Sequence, residues 1–429
     1  MGHRVLGVAA LRAWAACMRN RHTSETRPPP LGEGDRLNTE RFDTVVIGAG
    51  QAGLAAGYYL ARRGADFVIL DAGQRTGDAW RNRWDSLRLF TPPSFNHLPG
   101  MRLNPRQGGM HSKDDMADYL EAYAAYFGLS VQLGVRVDEL SRDGDRYLIA
   151  AGTRRLAARN VVVATGPYTT PWVPMFAGQL DPAVVQLHSA SYRRPAQLRR
   201  GAALVVGAGN SGAEIALELA RLHPTWLAGR DTGHIPVTLG DFAYRAMRTL
   251  STHAWPGRTL AALGSGRGHP LIRVTPKDLA DAPVWRLPRV AGVSGGQPML
   301  EDGRVLEVEN VVWCTGFATD YGWIRVPVLD TRGRPVHHRG VAAAAPGLYF
   351  AGLPFQSSLA SHLVGGVGAD ARHITDQING RVQAARRVRT QTMPHRRPAK
   401  TPLNGYLARP VMPRSHDSQI SGNQGTTRE

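Results

Sequence analysis

The sequence of 429 residues contains only two cysteines, Cys17 and Cys314, which lie far apart in the chain. Two isolated cysteines form neither a Cys-x-x-Cys redox pair nor a cysteine-rich zinc site, so the sequence predicts no metal site. They also provide no disulfide framework. This favours a protein of a reducing compartment, and we expect the cytoplasm.

Lysine is equally scarce. The formal net charge is +18 although the chain has only three lysines, so almost all of its basic side chains are arginines. Much of the excess lies at the C-terminus, where residues 381–429 carry 10 basic and 2 acidic side chains. We interpret this aperiodic segment as a disordered basic tail, and no nucleic-acid recognition motif accompanies it.

No apolar run approaches the roughly 20 residues that a membrane-spanning helix needs, so we predict no transmembrane segment. The first residues alternate arginine with small apolar side chains, and Arg12 interrupts the stretch that faintly resembles a targeting signal. A run rich in proline and glycine follows. We predict a flexible N-terminal extension over residues 1–41.

The most informative stretch runs from Thr44 to Asp71 and has the pattern of a strand, a tight turn, a helix and a second strand. The turn residues predicted to bind a dinucleotide are Gly48, Gly50, Gln51, Ala52 and Gly53. In such a turn the second glycine admits the pyrophosphate and the third allows close packing of helix and strand, while the helix N-terminus favours anions. Asp71 follows the third glycine by 18 residues, where a carboxylate can bind ribose hydroxyls.

The same device occurs a second time. Its predicted binding residues are Gly207, Gly209, Asn210, Ser211 and Gly212. Here Arg230 stands 18 residues after the third glycine, and a guanidinium can bind a 2′-phosphate that a carboxylate would repel. We therefore predict an NADP(H) site in the second fold. The alternative for Arg230 is a solvated surface arginine.

Two buried strands end on small residues, one at Thr165 and Gly166 and the other at Thr315 and Gly316. We interpret them as the points where the chain leaves the first nucleotide-binding fold and returns to it. The predicted fold class is α/β, three-layer, with two Rossmann-like dinucleotide-binding domains. The second domain, residues 185–312, is inserted in the first, residues 42–184 and 313–380.

Four further residues are predicted to contact a cofactor: Trp80, Arg81, Val137 and Gly352. Trp80 lies on a loop after the ribose site, where it covers a flat ring system or belongs to the core, and both interpretations stay open. Arg81 is expected to face phosphates or ring oxygens, and Val137 to bring its backbone to an adenine.

A helix is predicted after Ser112, which is a suitable N-cap with Asp115 three residues further on. Its apolar residues recur at helical spacing and include Tyr119 and Tyr123, which we assign to the core, and Gly128 ends the pattern.

Together these motifs resemble the flavin-containing monooxygenases, in particular bacterial flavoproteins of the CzcO type that are similar to plant YUCCA enzymes. The resemblance covers roughly residues 42–380 and rests on several motifs in the same order. The stretches that carry it are GAGQAG (48–53), GDAWRNRWDSLRLFTP (77–92), GAGNSGAEIALELA (207–220), VVWCTGF (311–317) and FAGLPFQSSLASHLVGGVGADA (350–371).

The resemblance implies FAD in the first domain and NADPH in the second, with hydride transfer to the flavin and oxygenation of a small organic substrate by O₂ through a C4a-(hydro)peroxyflavin. The cofactor then carries the chemistry, so no side chain is predicted to be catalytic. One motif departs from the family pattern, because His188 follows Gly178 six positions later than expected. N-oxygenation or Baeyer–Villiger assignments that depend on that motif therefore lose support.

Two other classes share these folds. A pyridine-nucleotide disulfide reductase would need a redox-active cysteine pair, which the sequence lacks. An NAD(P)H-dependent flavoprotein oxidoreductase or redox sensor without oxygenase activity stays the alternative. No oligomeric state is predicted.

Overall fold

The computed structural model describes residues 39–104, 109–235, 241–252, 254, 255, 259 and 270–392. The chain divides into two compact units, Met1–Val382 and Gln383–Glu429. In the second unit the described residues, 383–392, are helical. Among the described residues, no helix has both the length and the apolar character needed to span a membrane.

The strands of the described residues follow one another along the chain as β1 (Glu40–Ile47), β2 (Phe67–Leu70), β3 (Val131–Gln132), β4 (Glu139–Asp143), β5 (Arg146–Ala151), β6 (Arg154–Val163), β7 (Thr170–Pro171), β8 (Val185–His188), β9 (Ala203–Val206), β10 (Thr225–Ala228), β11 (Val284–Leu287), β12 (Val290–Ser294), β13 (Gln297–Leu300), β14 (Asn310–Trp313), β15 (Phe317–Ala318) and β16 (Leu348–Phe350). The helices are α1 (Gln51–Ala61), α2 (Asp78–Arg81), α3 (Lys113–Tyr126), α4 (Asn210–Leu219), α5 (Asp241–Thr249), α6 (Pro276–Asp281) and α7 (Val367–Thr392). Short 3₁₀ helices occupy Pro93–Phe95, Met175–Gln179 and Pro195–Gln197.

The first sheet has the strand order β3-β2-β1-β6-β5-β4, and β16 also pairs with β6. The long strand β6 makes this possible, because its first half pairs antiparallel with β5 and its last residues pair parallel with β16. β1 lies between β2 and β6 and runs parallel to both. Its last four residues are buried, as expected for a central parallel strand covered on both faces.

The second sheet has the order β11-β10-β9-β14-β8, with every pair parallel. All of its strands fall between residues 185 and 313, whereas the strands of the first sheet come before and after this segment. The α/β class, with one mixed and one all-parallel sheet, agrees with the predicted fold class. The assignment of the two segments to separate cofactor-binding domains stays a prediction.

Helix α3 begins where the sequence predicts it. The Ser112 hydroxyl accepts a hydrogen bond from the Asp115 backbone N–H (3.1 Å), and the Asp115 carboxylate accepts one from the Ser112 backbone N–H (2.8 Å), which completes a capping box. Tyr119 and Tyr123 are buried and donate their hydroxyls to the carbonyls of Met101 and Pro99. Both tyrosines therefore belong to the core, as predicted.

Two predicted boundaries are wrong. Helix α7 continues through residues 381–392, which the sequence analysis assigns to the disordered tail. Gly380 does not end the helix, because the alanines, arginines and glutamines that follow it are good helix formers and outweigh the cost of one glycine. β1 starts at Glu40, inside the predicted N-terminal extension. Residues 1–38 and 393–429 of the two predicted flexible segments lie outside the described residues.

The capping box gives a prediction for stability. Replacing the cap in Ser112→Ala leaves N–H groups of the first turn without their side-chain acceptor, and we expect a loss of about 1 kcal/mol in the free energy of unfolding. Urea denaturation followed by circular dichroism measures this. Ser130→Ala, at an exposed serine outside any helix, is the control, and an equal effect of both substitutions would contradict the capping role.

Candidate functional site

The first glycine-rich turn joins β1 to α1 with almost no space between strand and helix. Gly48 has a φ of +108°, and a Cβ on Gly53 would lie 1.8 Å from the Gly48 carbonyl oxygen. A Cβ on Gly48 would lie 2.5 Å from the carbonyl oxygen of Ala164, at the end of β6. Only glycine at these two positions lets the turn fit between α1 and β6.

The second turn, between β9 and α4, repeats this geometry. Gly207 has the same φ of +108°, and a Cβ on Gly212 would again lie 1.8 Å from the carbonyl oxygen of the first glycine. The neighbouring strand end is that of β14, where the Cys314 carbonyl oxygen would lie 2.3 Å from a Cβ on Gly207. The two turns are therefore structural repeats.

The middle glycine of each turn borders empty space. A Cβ on Gly50 or on Gly209 would have no heavy atom within 4 Å. Each is the N-cap of the following helix, and neither helix start is capped by a side chain. The free N–H groups and the positive end of the helix dipole thus face an open cradle that fits a pyrophosphate.

Asp71 lies beside the first turn, as its spacing predicts. One carboxylate oxygen accepts the backbone N–H of Ala49 (2.6 Å) and the other that of Gly73 (2.7 Å). These bonds fix the carboxylate at the end of β2, next to the turn. Free lone pairs on both oxygens remain to accept ribose hydroxyls.

Arg230 is exposed just after β10, beside the second turn. A second arginine, which no sequence pattern indicated, lies there. Arg286 on β11 directs its guanidinium to the Gly229 carbonyl oxygen at 3.5 Å, at the same end of the sheet. No spacing rule could have identified it, because a long segment separates β11 from β10.

Trp80 connects three parts of the first fold. Its indole N–H donates to the Gln51 side chain (3.2 Å), whose amide donates in turn to the His362 carbonyl oxygen (3.1 Å). The half-buried indole also packs against the core cluster between α1 and α3. Trp80 therefore has a core contact and a place at the start of α1, and its contact with a cofactor stays a prediction.

The location of Arg81 does not support the predicted contact with a cofactor. Its guanidinium pairs with Asp118 (3.0 Å) and Glu121 (2.7 Å) of α3 and donates to the Thr76 carbonyl oxygen (2.6 Å). These acceptors use three of the five N–H donors of the guanidinium. The sequence pattern could not show these ion pairs, because both acids lie on α3, which is far from Arg81 in the sequence.

Three other predicted residues have structural partners. The Asn210 side chain donates to the Pro270 carbonyl oxygen (3.0 Å) and accepts the Ile272 N–H (2.9 Å), so it holds a loop against the start of α4. Val137 lies in the connection after β3, not in a strand, and packs against the core. Gly352, with a φ of +80°, packs against Ala52 of α1. The structure gives no separate contact for Ser211.

The segments that join the two sheets pair with each other. β7 and β15 form an antiparallel pair, and the Trp172 N–H donates to the Gly316 carbonyl oxygen (3.0 Å) while Thr315 donates to the Trp172 carbonyl. Thr165 and Gly166 directly precede the first of these segments. The four predicted residues at the strand ends therefore lie at the crossing between the sheets.

His188 closes this crossing from the side of β8. Its ring accepts the Ala190 N–H at Nδ1 (3.1 Å) and therefore donates from Nε2 to the Gly316 carbonyl oxygen (3.0 Å). Burial lowers the pKa of His188 to about 4, so the ring is neutral near pH 7. The residue is kept as a structural link although its spacing departs from the family motif.

Cys314 is the only cysteine of the described residues, and burial raises the pKa of its thiol. A buried protonated thiol is a poor nucleophile. Its backbone instead supports the second turn, so this position offers no disulfide chemistry.

Comparison with known proteins identifies relatives of this architecture. Residues 45–228 match the family model described as pyridine nucleotide-disulphide oxidoreductase. A CzcO-like oxidoreductase of Geobacillus kaustophilus is 41% identical over 343 residues, which is 78% of this chain and 98% of that protein. The rice (Oryza sativa subsp. japonica) protein named indole-3-pyruvate monooxygenase YUCCA1 is 38% identical over 191 residues, which is 44% of this chain and 47% of that protein.

A solved structure has a similar fold. The flavin-containing monooxygenase from Stenotrophomonas maltophilia superposes with a TM-score of 0.65 at 29% sequence identity, covering 80% of this chain and all of the other.

The same substitution, glycine to alanine, is expected to have different effects at Gly50 and at Gly53. Gly50→Ala adds a methyl group in open space at an allowed φ of −75°, so we expect a folded protein that has lost flavin because the methyl group occupies the phosphate cradle. Gly53→Ala places a Cβ against backbone, and we expect a loss of stability of about 1–3 kcal/mol or more. Flavin absorbance and thermal unfolding of the flavin-free proteins measure the two effects. Full flavin content in Gly50→Ala would contradict the cradle.

Proposed function

This chain belongs to the CzcO-like oxidoreductases, and from this membership we propose that it is a flavin-dependent monooxygenase that uses NADPH and O₂ to oxygenate a small organic substrate. The finer proposal is that oxygen transfer proceeds through a C4a-(hydro)peroxyflavin, which is chemistry that the bound FAD supplies. The rice relative is named for indole-3-pyruvate, but it aligns over less than half of this chain. The proposal therefore names no individual substrate.

One observation carries the proposal: the glycine turn is repeated, with an acid beside one copy and a base beside the other. Asp71 suits the free ribose hydroxyls of FAD, and Arg230 suits the 2′-phosphate of NADPH. Arg286 adds a second positive charge at the same strand ends. The two turns have the same geometry, but the side chains beside them have opposite charge. This difference supports the binding of a different dinucleotide at each turn.

In this proposal the residues of the chain bind and orient the two cofactors. The N-termini of α1 and α4 would hold the two pyrophosphates, and the paired segments β7 and β15 fix the sheets relative to each other. Gln51, Trp80 and the His362 backbone tie the start of α1 to the segments that border it. We propose that residues 42–184 and 313–380 form the FAD-binding domain and residues 185–312 the NADP-binding domain, because each segment contributes its own sheet.

The competing classes differ in testable ways. A disulfide reductase is disfavoured because Cys314 is half-buried and has no second cysteine beside it among the described residues. A flavoprotein oxidoreductase or redox sensor would keep both nucleotide sites and lack oxygen transfer. A cytoplasmic location stays a prediction from the cysteine content.

One test of this proposal concerns the choice between NADPH and NADH. Arg230→Ala removes the charge expected to bind the 2′-phosphate, so we expect KM for NADPH to rise about tenfold or more while KM for NADH stays nearly unchanged. Steady-state NAD(P)H oxidation measures both constants. Arg304→Ala is the control, because Arg304 is exposed and pairs locally with Asp302. An equal rise for both cofactors would refute the 2′-phosphate role.

The second prediction concerns oxygen. After anaerobic reduction with NADPH, we expect mixing with O₂ to give a near-ultraviolet absorbing flavin species that persists until a substrate is added. Stopped-flow absorbance detects it. Direct return to oxidised flavin with release of peroxide would instead favour the oxidoreductase or sensor, and a protein that purifies without flavin would refute the first site.

A further inference from the structure

Arg83 lies where the chain passes from the first nucleotide-binding fold to the second. The indole of Trp80, three residues earlier, packs against the core of the first fold, and Trp84 is buried in the core of the second. The backbone of Asp85 continues this contact by donating to the Arg193 carbonyl oxygen (2.8 Å). Arg83 is thus held between the two folds by the tryptophans on either side.

The guanidinium of Arg83 stands beside aromatic rings of the crossing segments. Its Cζ lies 5.4 Å from the centroid of Phe317 and 5.9 Å from that of Tyr168. These rings meet edge to face at 5.6 Å, and Phe317 also meets the neutral ring of His188 at 5.0 Å. Tyr168 is 51% exposed, so the cluster reaches the surface and is not part of a closed core.

The charge of Arg83 has no counter-ion. Its Nε donates to the Ala79 carbonyl oxygen (3.1 Å), and among the described residues no carboxylate lies within ion-pair distance of it. The charged group that acts on it is another cation, Arg193, and desolvation lowers the pKa of Arg83. Both Nη groups, which form the planar fork suited to carboxylates and phosphates, remain available for a ligand.

Arg83 is half-buried, and a partly desolvated cation without a counter-ion gains from binding an anion. We propose that Arg83 is an anion-binding group at the junction of the two folds, and that it binds the oxygens of a phosphate or carboxylate next to the rings of Tyr168 and Phe317. The anion comes from the nicotinamide dinucleotide or from the substrate. The first source rests on the proposed use of NADPH, whereas the second does not.

Calorimetric binding to the oxidised holoenzyme tests this without turnover. The probes are NADP⁺, its adenylate fragment (2′,5′-ADP), 3-phenylpropionate and the neutral 3-phenylpropionamide. For Arg83→Gln we expect a tenfold to hundredfold loss of affinity, typical of a charge-assisted hydrogen bond, for NADP⁺ or for the carboxylate. 2′,5′-ADP is the matched probe for NADP⁺, and the amide is the matched probe for the carboxylate. Each matched probe should bind Arg83→Gln as it binds the unmodified protein. Arg83→Lys keeps the charge and loses the fork, so we expect a smaller loss.

The control is Arg62→Gln. Arg62 also lies over a tyrosine ring, that of Tyr58 at 5.7 Å, but it is exposed at the end of α1. Loss for NADP⁺ alone assigns the anion to the dinucleotide, and loss for 3-phenylpropionate alone assigns it to the substrate. Unchanged binding of both anions in Arg83→Gln and Arg83→Lys would overturn the proposal, as would equal losses for the matched probes. If the unmodified protein binds no NADP⁺, the proposed cofactor fails and the carboxylate probe still decides the role of Arg83.

Discussion

The close approach of helix to strand at Gly53 and Gly212 is the constraint on which both candidate sites depend. Each of these glycines lies so close to the carbonyl of the first glycine of its turn that a Cβ has no room. Because the helix can approach this far, its N-terminus opens beside the carboxyl ends of the neighbouring strands, and the space at the middle glycine stays free. Binding capacity at this turn is therefore a direct result of packing.

The two sheets are linked by several contacts at and beside the crossing segments. Trp80 and Trp84 belong to different cores, although only three residues separate them. The paired segments β7 and β15 tie the crossing together a second time, and His188 bonds to it from the second sheet. Three independent connections restrict how far the folds can move apart.

Local sequence signals predicted the parts of the structure that local chemistry determines. The two glycine turns, Asp71 beside the first of them and the capping box at Ser112 each depend on residues within one structural unit. The partners of Arg81 and of Asn210 depend on segments brought close only by the fold, and no spacing within the sequence could reveal them. Arg286 was missed for the same reason. The extent of α7 was missed because a basic, polar composition is shared by solvated helices and disordered tails.

Cys314, the one cysteine among the described residues, explains how a chain that matches a disulphide oxidoreductase family model can lack disulfide chemistry. Cys314 lies at the end of β14, where its carbonyl packs against the second glycine turn, and burial keeps its thiol protonated. The family resemblance thus rests on the nucleotide-binding folds, which do not themselves determine the reaction. Cys314 offers no reactive thiol at the crossing and His188 is neutral, while the guanidinium groups of Arg83 and Arg193 lie beside it. Such groups bind and orient anions rather than attack a substrate, which is the division of labour expected when cofactors carry the chemistry.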